Sequence, residues 1–149
     1  MSEFITNAWY VGAWVSEVQA GSLLARRILD TPLVFFRTED GTPGALLDRC
    51  PHKLAPLSLG RVVGNVVQCG YHGLQFDCSG QCQKIPTQNR IPETANVRTF
   101  PVVERYGAIW VWMGEAALAD TGKLVAIPNT ASRAGGWSAI STCALTAIT

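Results

Sequence analysis

Residues Cys50–His72 read CPHKLAPLSLGRVVGNVVQCGYH. Cys50-Pro51-His52 opens the stretch and Cys69-Gly70-Tyr71-His72 closes it, with sixteen residues between His52 and Cys69. The chain has only two histidines, and both stand here. Two thiols and two imidazoles in a Cys-x-His … Cys-x-x-His arrangement suit two kinds of metal group. One is a single tetrahedral zinc ion. The other is a [2Fe–2S] cluster in which two Cys hold one iron and two His the other. Between the pairs, Arg61-Val62-Val63 and Val66-Val67-Gln68 flank Gly64-Asn65, a two-residue hairpin signal with glycine where a positive φ is needed. Such a hairpin folds the chain back and brings the loops at 50–59 and 69–73 side by side at one tip. Either metal can use that geometry.

Working outward from the hairpin, short β-rich runs recur between turn signals, and no long stretch carries a clean helical period. Trp9–Val15, Leu24–Leu29, Leu33–Arg37 and Ala45–Asp48 read as strands, the last two joined by a turn around Asp40-Gly41. Leu74–Cys78 and Gln81–Lys84 form a hairpin about Ser79-Gly80. After a loop punctuated by Pro86 and Pro92, Val97–Glu104 and Ala108–Met113 close the series. The expectation is an all-β fold of short antiparallel strands carrying two metal-binding loops at one tip. Trp110 and Trp112 share one face of their strand; together with Trp9, Trp14, Phe35 and Phe36 they are expected to build core, since large aromatics dominate burial.

At 149 residues, 48% hydrophobic and 15% charged, the chain has the makings of a compact domain. A domain of that size buries roughly two-thirds of its unfolded surface. A formal net charge of +1 gives no electrostatic argument for nucleic acid or for a membrane surface. Neither a signal-peptide pattern nor a long apolar run occurs, so a cytoplasmic setting is expected. Five cysteines in a reducing compartment are ligands or core filler. A two-residue turn at Ser79-Gly80 would put Cys78 and Cys82 on opposite faces, which disfavours a disulfide between them.

The motifs around these residues resemble a family. They are Asn7-Ala8-Trp9-Tyr10, Leu29-Asp30-Thr31-Pro32, Cys50 to Ser58, Cys69 to Asp77, Gly80-Gln81-Cys82, Phe100 to Glu104 and Ile109-Trp110-Val111-Trp112. Together they are similar to the N-terminal Rieske domain of the vanillate O-demethylase and dicamba monooxygenase type of Rieske non-haem iron oxygenases, from about Phe4 to Pro128. The resemblance implies one Rieske [2Fe–2S] cluster, held by Cys50, His52, Cys69 and His72, in a Rieske domain over residues 1–128. Formally, two ferric ions, two sulfides and two thiolates sum to zero charge with neutral imidazoles, which eases electron uptake relative to an all-thiolate cluster.

The resemblance also implies a subtype. High-potential Rieske proteins carry an extra disulfide between the two loops, but the matching positions here are Ala55 and Tyr71. Those proteins place Ser and Tyr hydroxyls near cluster sulfur where Leu74 and Phe76 stand here. With fewer donors to sulfur, a potential near the bottom of the Rieske range is expected.

Members of the family carry a second domain with a mononuclear Fe(II) held by two His and a carboxylate. No histidine follows His72, and the match fades at residues 129–149, a divergent tail where a catalytic domain would begin. The expectation is an oxidoreductase by resemblance, the cluster-bearing part of an aromatic O-demethylating monooxygenase. It would lack the mononuclear iron and perform no oxygenation alone, ending by truncation or frameshift or as a functional short form. Expected partners are an NADH-dependent reductase, directly or through a ferredoxin, and an aromatic substrate only when a catalytic domain is present. The homotrimer of the family depends largely on that domain. A free-standing Rieske ferredoxin and a structural zinc module are the alternatives.

Overall fold

The computed structural model describes residues 3–124 and 126; the expected tail at 129–149 lies outside the described residues. Eleven strands and five single 3-10 turns make up the described elements, with no α-helix among them. All strand pairings are antiparallel, as expected. The strands fall into three sheets. The first orders β1 (Ala8–Trp14), β11 (Ala108–Met113) and β10 (Val102–Arg105). The second orders β2 (Leu23–Ile28), β3 (Thr31–Arg37), β4 (Pro43–Leu47) and β9 (Thr99–Phe100). The third orders β5 (Arg61–Val63), β6 (Val66–Gln68), β7 (Gln75–Asp77) and β8 (Cys82–Lys84).

The unbroken apolar run Leu33–Phe36 explains how the sheets stack. All four side chains are fully buried, because β3 has a core on each face. Leu33 and Phe35 join Ile109, Val111 and Met113 on one side; Val34 and Phe36 join Cys50, Val67, Cys69 and Phe76 on the other. The second sheet is therefore the floor on which the metal-loop sheet rests. Trp9, Trp110 and Trp112 fill a third cluster behind the first sheet, as expected. Gly12 lets β1 lie over that floor: a Cβ there would come within 2.2 Å of the Phe35 ring.

Four local expectations need correction. Trp14 is 58% exposed, because it ends an outer strand and its backbone N–H is held by the Glu17 carboxylate at 2.9 Å. Leu29 is not strand: Leu29 and Asp30, at φ 51° and 60°, form the two-residue turn joining Ile28 to Thr31. The run Val97–Glu104 divides at Pro101, which has no N–H for a ladder. Its two halves, β9 and β10, pair in different sheets.

The fourth concerns the hairpin at Ser79-Gly80, whose register is shifted from expectation. Phe76 pairs with Cys82, and three residues, Cys78, Ser79 and Gly80, form the loop. Asp77 accounts for this. Its Oδ1 accepts from the Ser79 and Gln81 N–H groups at 2.9 and 3.1 Å, and Gly80 N–H donates to Asp77 C=O at 2.9 Å with φ 84°. The Asp-x-x-Gly pattern of a type I turn was the available signal. Cys82 is a free, buried cysteine, so no disulfide joins it to Cys78.

Candidate metal centre

The Gly64-Asn65 hairpin forms as read, with Val63 opposite Val66 and Gly64 at φ 60°. Each loop it presents is closed by the same pair of backbone hydrogen bonds. In the first, Cys50 N–H donates to Ala55 C=O and Leu54 N–H donates back to Cys50 C=O, both at 2.8 Å. In the second, Cys69 N–H donates to Leu74 C=O at 2.7 Å and Gly73 N–H to Cys69 C=O at 3.1 Å. The fifth residue of each loop is left-handed: Gly73 at φ 78° and Leu54 at φ 58°. For Leu54 that conformation costs about 1–2 kcal/mol, which the two hydrogen bonds of its loop offset. The sequence carried this repeat, but the two histidines sit at different offsets and mask it.

Glycine brings the loops into contact. A Cβ on Gly60 would lie 1.9 Å from the Gln68 carbonyl oxygen and 3.1 Å from the Gly70 nitrogen. On Gly70 it would lie 3.0 Å from the Leu59 carbonyl oxygen. The two backbones thus touch along a line that admits no side chain.

The four candidate ligands separate into two pairs. Cys50 and Cys69 are buried, in the same cluster as Leu57, Val67, Leu74 and Phe76. Burial pushes the Cys50 thiol up to about 11; the His52 backbone N–H pulls it down, and the adjacent Cys69 thiol pushes it up. His52 and His72 are exposed, with Nδ1 to Nδ1 at 3.0 Å and rings crossing at 81°. Among the described residues no three His, Cys, Asp or Glu side chains converge on one point. A lone zinc needs four donors on one centre. Two pairs, one of thiols and one of imidazoles, fit a two-iron group instead.

Apolar side chains surround the thiols. Leu74 and Phe76 are buried and bring no hydroxyl into the sulfur environment. Leu54 and Tyr71 are exposed at the tip, and Tyr71 lies against the His72 ring at 3.9 Å between centroids. A cavity of about 320 Å³ flanks the imidazoles, with Pro51, Leu74, Ile85 and Pro92 in its walls. Sequence reading missed the contribution of the segment from Ile85 to Ala95 to this cavity, since its prolines read only as loop punctuation.

Comparison with known proteins agrees with this geometry. The profile of the Rieske [2Fe-2S] domain matches residues 8–101. The oxygenase component of dicamba O-demethylase from Stenotrophomonas maltophilia is 52% identical over 131 residues, covering 87% of this chain and 38% of that protein. The vanillate O-demethylase oxygenase subunit of Pseudomonas sp. strain HR199 is 44% identical over 117 residues, covering 78% of this chain and 32% of that protein. The crystal structure of dicamba monooxygenase bound to dicamba superposes with a TM-score of 0.82 at 50% identity, covering 86% of this chain and 38% of that one. The chain therefore spans less than two-fifths of the length of each of these relatives. Its strands, paired ligand loops and profile match make it a member of the Rieske [2Fe–2S] domain family, of the kind found in the oxygenase components of aromatic O-demethylases.

Proposed function

We propose that Cys50 and Cys69 hold one iron of the Rieske cluster, that His52 and His72 hold the other through Nδ1, and that the chain relays electrons within an aromatic O-demethylase-type oxygenase component. The observation that carries this is the Nδ1 to Nδ1 approach of 3.0 Å between two exposed imidazoles above two buried thiols. A bound cluster supplies one-electron chemistry. The chain's own residues do the rest. Backbone N–H groups of His52 and Lys53 stabilise the Cys50 thiolate. Leu57, Leu74 and Phe76 exclude water from the sulfur side, and the imidazoles leave the iron they hold near the surface.

The Rieske unit spans residues 1–128. Electrons enter from NADH through a reductase, directly or by way of a ferredoxin, and leave toward a mononuclear iron held by residues other than 1–128. Substrate is a methoxy-aromatic compound bound by that catalytic part. Among the described residues no helix is long and apolar enough to cross a membrane. A cytoplasmic setting completes the proposal.

The test is analytical. Protein produced with iron and sulfide available is expected to hold about two irons and two sulfides per chain and to be brown. A colourless protein with one zinc per chain would overturn the ligand assignment.

A further inference from the structure

Asp48 and Thr38 are the buried polar or charged side chains among the described residues, and Asp48 stands two positions before Cys50. Its N–H donates to Pro32 C=O at 3.0 Å, which fixes it to the start of β3 in the floor sheet. Both carboxylate oxygens are used by one residue. Oδ1 accepts the Ser58 N–H at 2.7 Å and Oδ2 accepts the Ser58 hydroxyl at 2.7 Å. The carboxylate thus ties the entrance of the first ligand loop to its exit. Two residues on, Gly60 lies against Gln68 and Gly70 of the second loop. A continuous path of contacts runs from Asp48 through Ser58 and Gly60 to the segment bearing Cys69.

The charge on this carboxylate has no ion-pair partner among the described cations, whose ion pairs are Arg26–Glu17 and Arg37–Glu104. A buried anion satisfied only by neutral donors acts at longer range than one in water, because little solvent screens it. Anything nearby that must gain an electron does so less readily.

We propose that Asp48 is a positioning residue for the cluster: clamped on Ser58, it sets the first ligand loop against the second, and its unpaired negative charge lowers the reduction potential. This rests on the ligand assignment proposed above. The two donors from Ser58 disperse part of the charge, so the two partners act in opposite directions. Removing the charge favours the reduced cluster. Removing the Ser58 hydroxyl leaves a more concentrated charge and favours the oxidised one.

The experiment uses the iron-loaded chain and three readouts: iron and sulfide content, midpoint potential and the rate of iron release to a chelator. Wild-type content comes first, since a wild type without cluster sinks the ligand assignment and not this inference alone. Asp48→Asn is expected to shift the reduction equilibrium about tenfold toward the reduced form, which is about 59 mV upward for one electron. Ser58→Ala is expected to shift it about threefold the other way. Both variants should release iron several-fold faster. Shifts of the same sign, or no shift in either, overturn the proposal while the cluster assignment stands. Should Asp48→Asn hold no iron, Ser58→Ala decides alone: a downward shift supports the proposal, and an upward or absent one overturns it.

Discussion

His52 and His72 face each other through the same ring nitrogen, Nδ1 to Nδ1 at 3.0 Å, although twenty residues separate them. In the metal-free chain one Nδ1 must carry a proton and the other accept it. Under the proposed ligand assignment, iron held by both rings would take the place of that proton. With no third histidine in the chain, nothing can substitute for either ring. His72→Ala is therefore expected to take iron from about two per chain to near zero and to abolish visible absorption. Retention of the spectrum by this variant would refute the pairing of the imidazoles on one iron.

Phe76 is fully buried in the cluster that contains both cysteines. Phe76→Tyr adds a single hydroxyl there with little change of shape. If it reaches cluster sulfur, the reduced state gains a donor and the midpoint potential rises by tens of millivolts, against 59 mV for each tenfold change. Leu74→Ser should act in the same direction but sacrifices buried volume, and truncating a buried Leu to Ala costs about 2–5 kcal/mol. A redox titration of Phe76→Tyr with full iron content and an unmoved potential would show that position 76 does not correspond to the hydroxyl position of high-potential Rieske proteins.

The contact between ligand loops is a contact of backbones, so it tolerates no added carbon. Gly60→Ala would press a methyl against the Gln68 carbonyl, and no rotamer change can relieve it. We expect iron content to fall several-fold while circular dichroism still shows the β-sheet signal. Gly41→Ala is the control: its left-handed φ of 96° makes it strained too, yet nothing lies within 4 Å of the added carbon. Equal iron loss in the two variants would mean that general destabilisation, not loop spacing, empties the site.

The iron-free protein should also be sensitive to alkali. Burial raises the Cys50 thiol from its ordinary 9.0 to about 11. The folded chain then binds more protons than the unfolded chain between those values. Stability is intact below about pH 9 and is lost as pH rises through the folded value near 11. Urea midpoints of iron-free protein from pH 8 to 11 test this; in iron-loaded protein Cys50 is already a thiolate, so its midpoint should not fall through that window.

The candidate donor set, the hairpin within it and the all-β class could be read because each rests on local chemistry, and the structure bears out the hairpin and the class. Only Cys and His supply those donors, and Gly64-Asn65 specifies its own turn. What escaped depended on neighbours distant in sequence. The exposure of Trp14 follows from its place on an outer strand, and the split at Pro101 from two sheets competing for one run. Asp48 and Ser58 read as ordinary loop polar residues, ten apart, until folding placed both carboxylate oxygens on one serine. The shifted Asp77–Gln81 hairpin is different. Its Asp-x-x-Gly signal was local, but Ser79-Gly80 resembled a shorter turn.

Oxygenation by this chain alone is the last expectation, and it is negative. Dioxygen activation in the related oxygenases' chemistry calls for a mononuclear iron with two histidines and a carboxylate. The chain's two histidines stand at 52 and 72, and the proposed ligand assignment uses both. Supplied with NADH and a reductase, the iron-loaded chain should take up one electron per cluster and stop. Bleaching of the visible spectrum reports that uptake, and formaldehyde release from a methoxy-aromatic compound reports turnover. Bleaching with formaldehyde at the level of a reductase-only control is the expected result. Formaldehyde above that control, from protein free of any other oxygenase, would mean that residues of this chain build an oxygen-activating site after all. In that case at least one of His52 and His72 could not be serving the cluster, and the ligand assignment would fall with it.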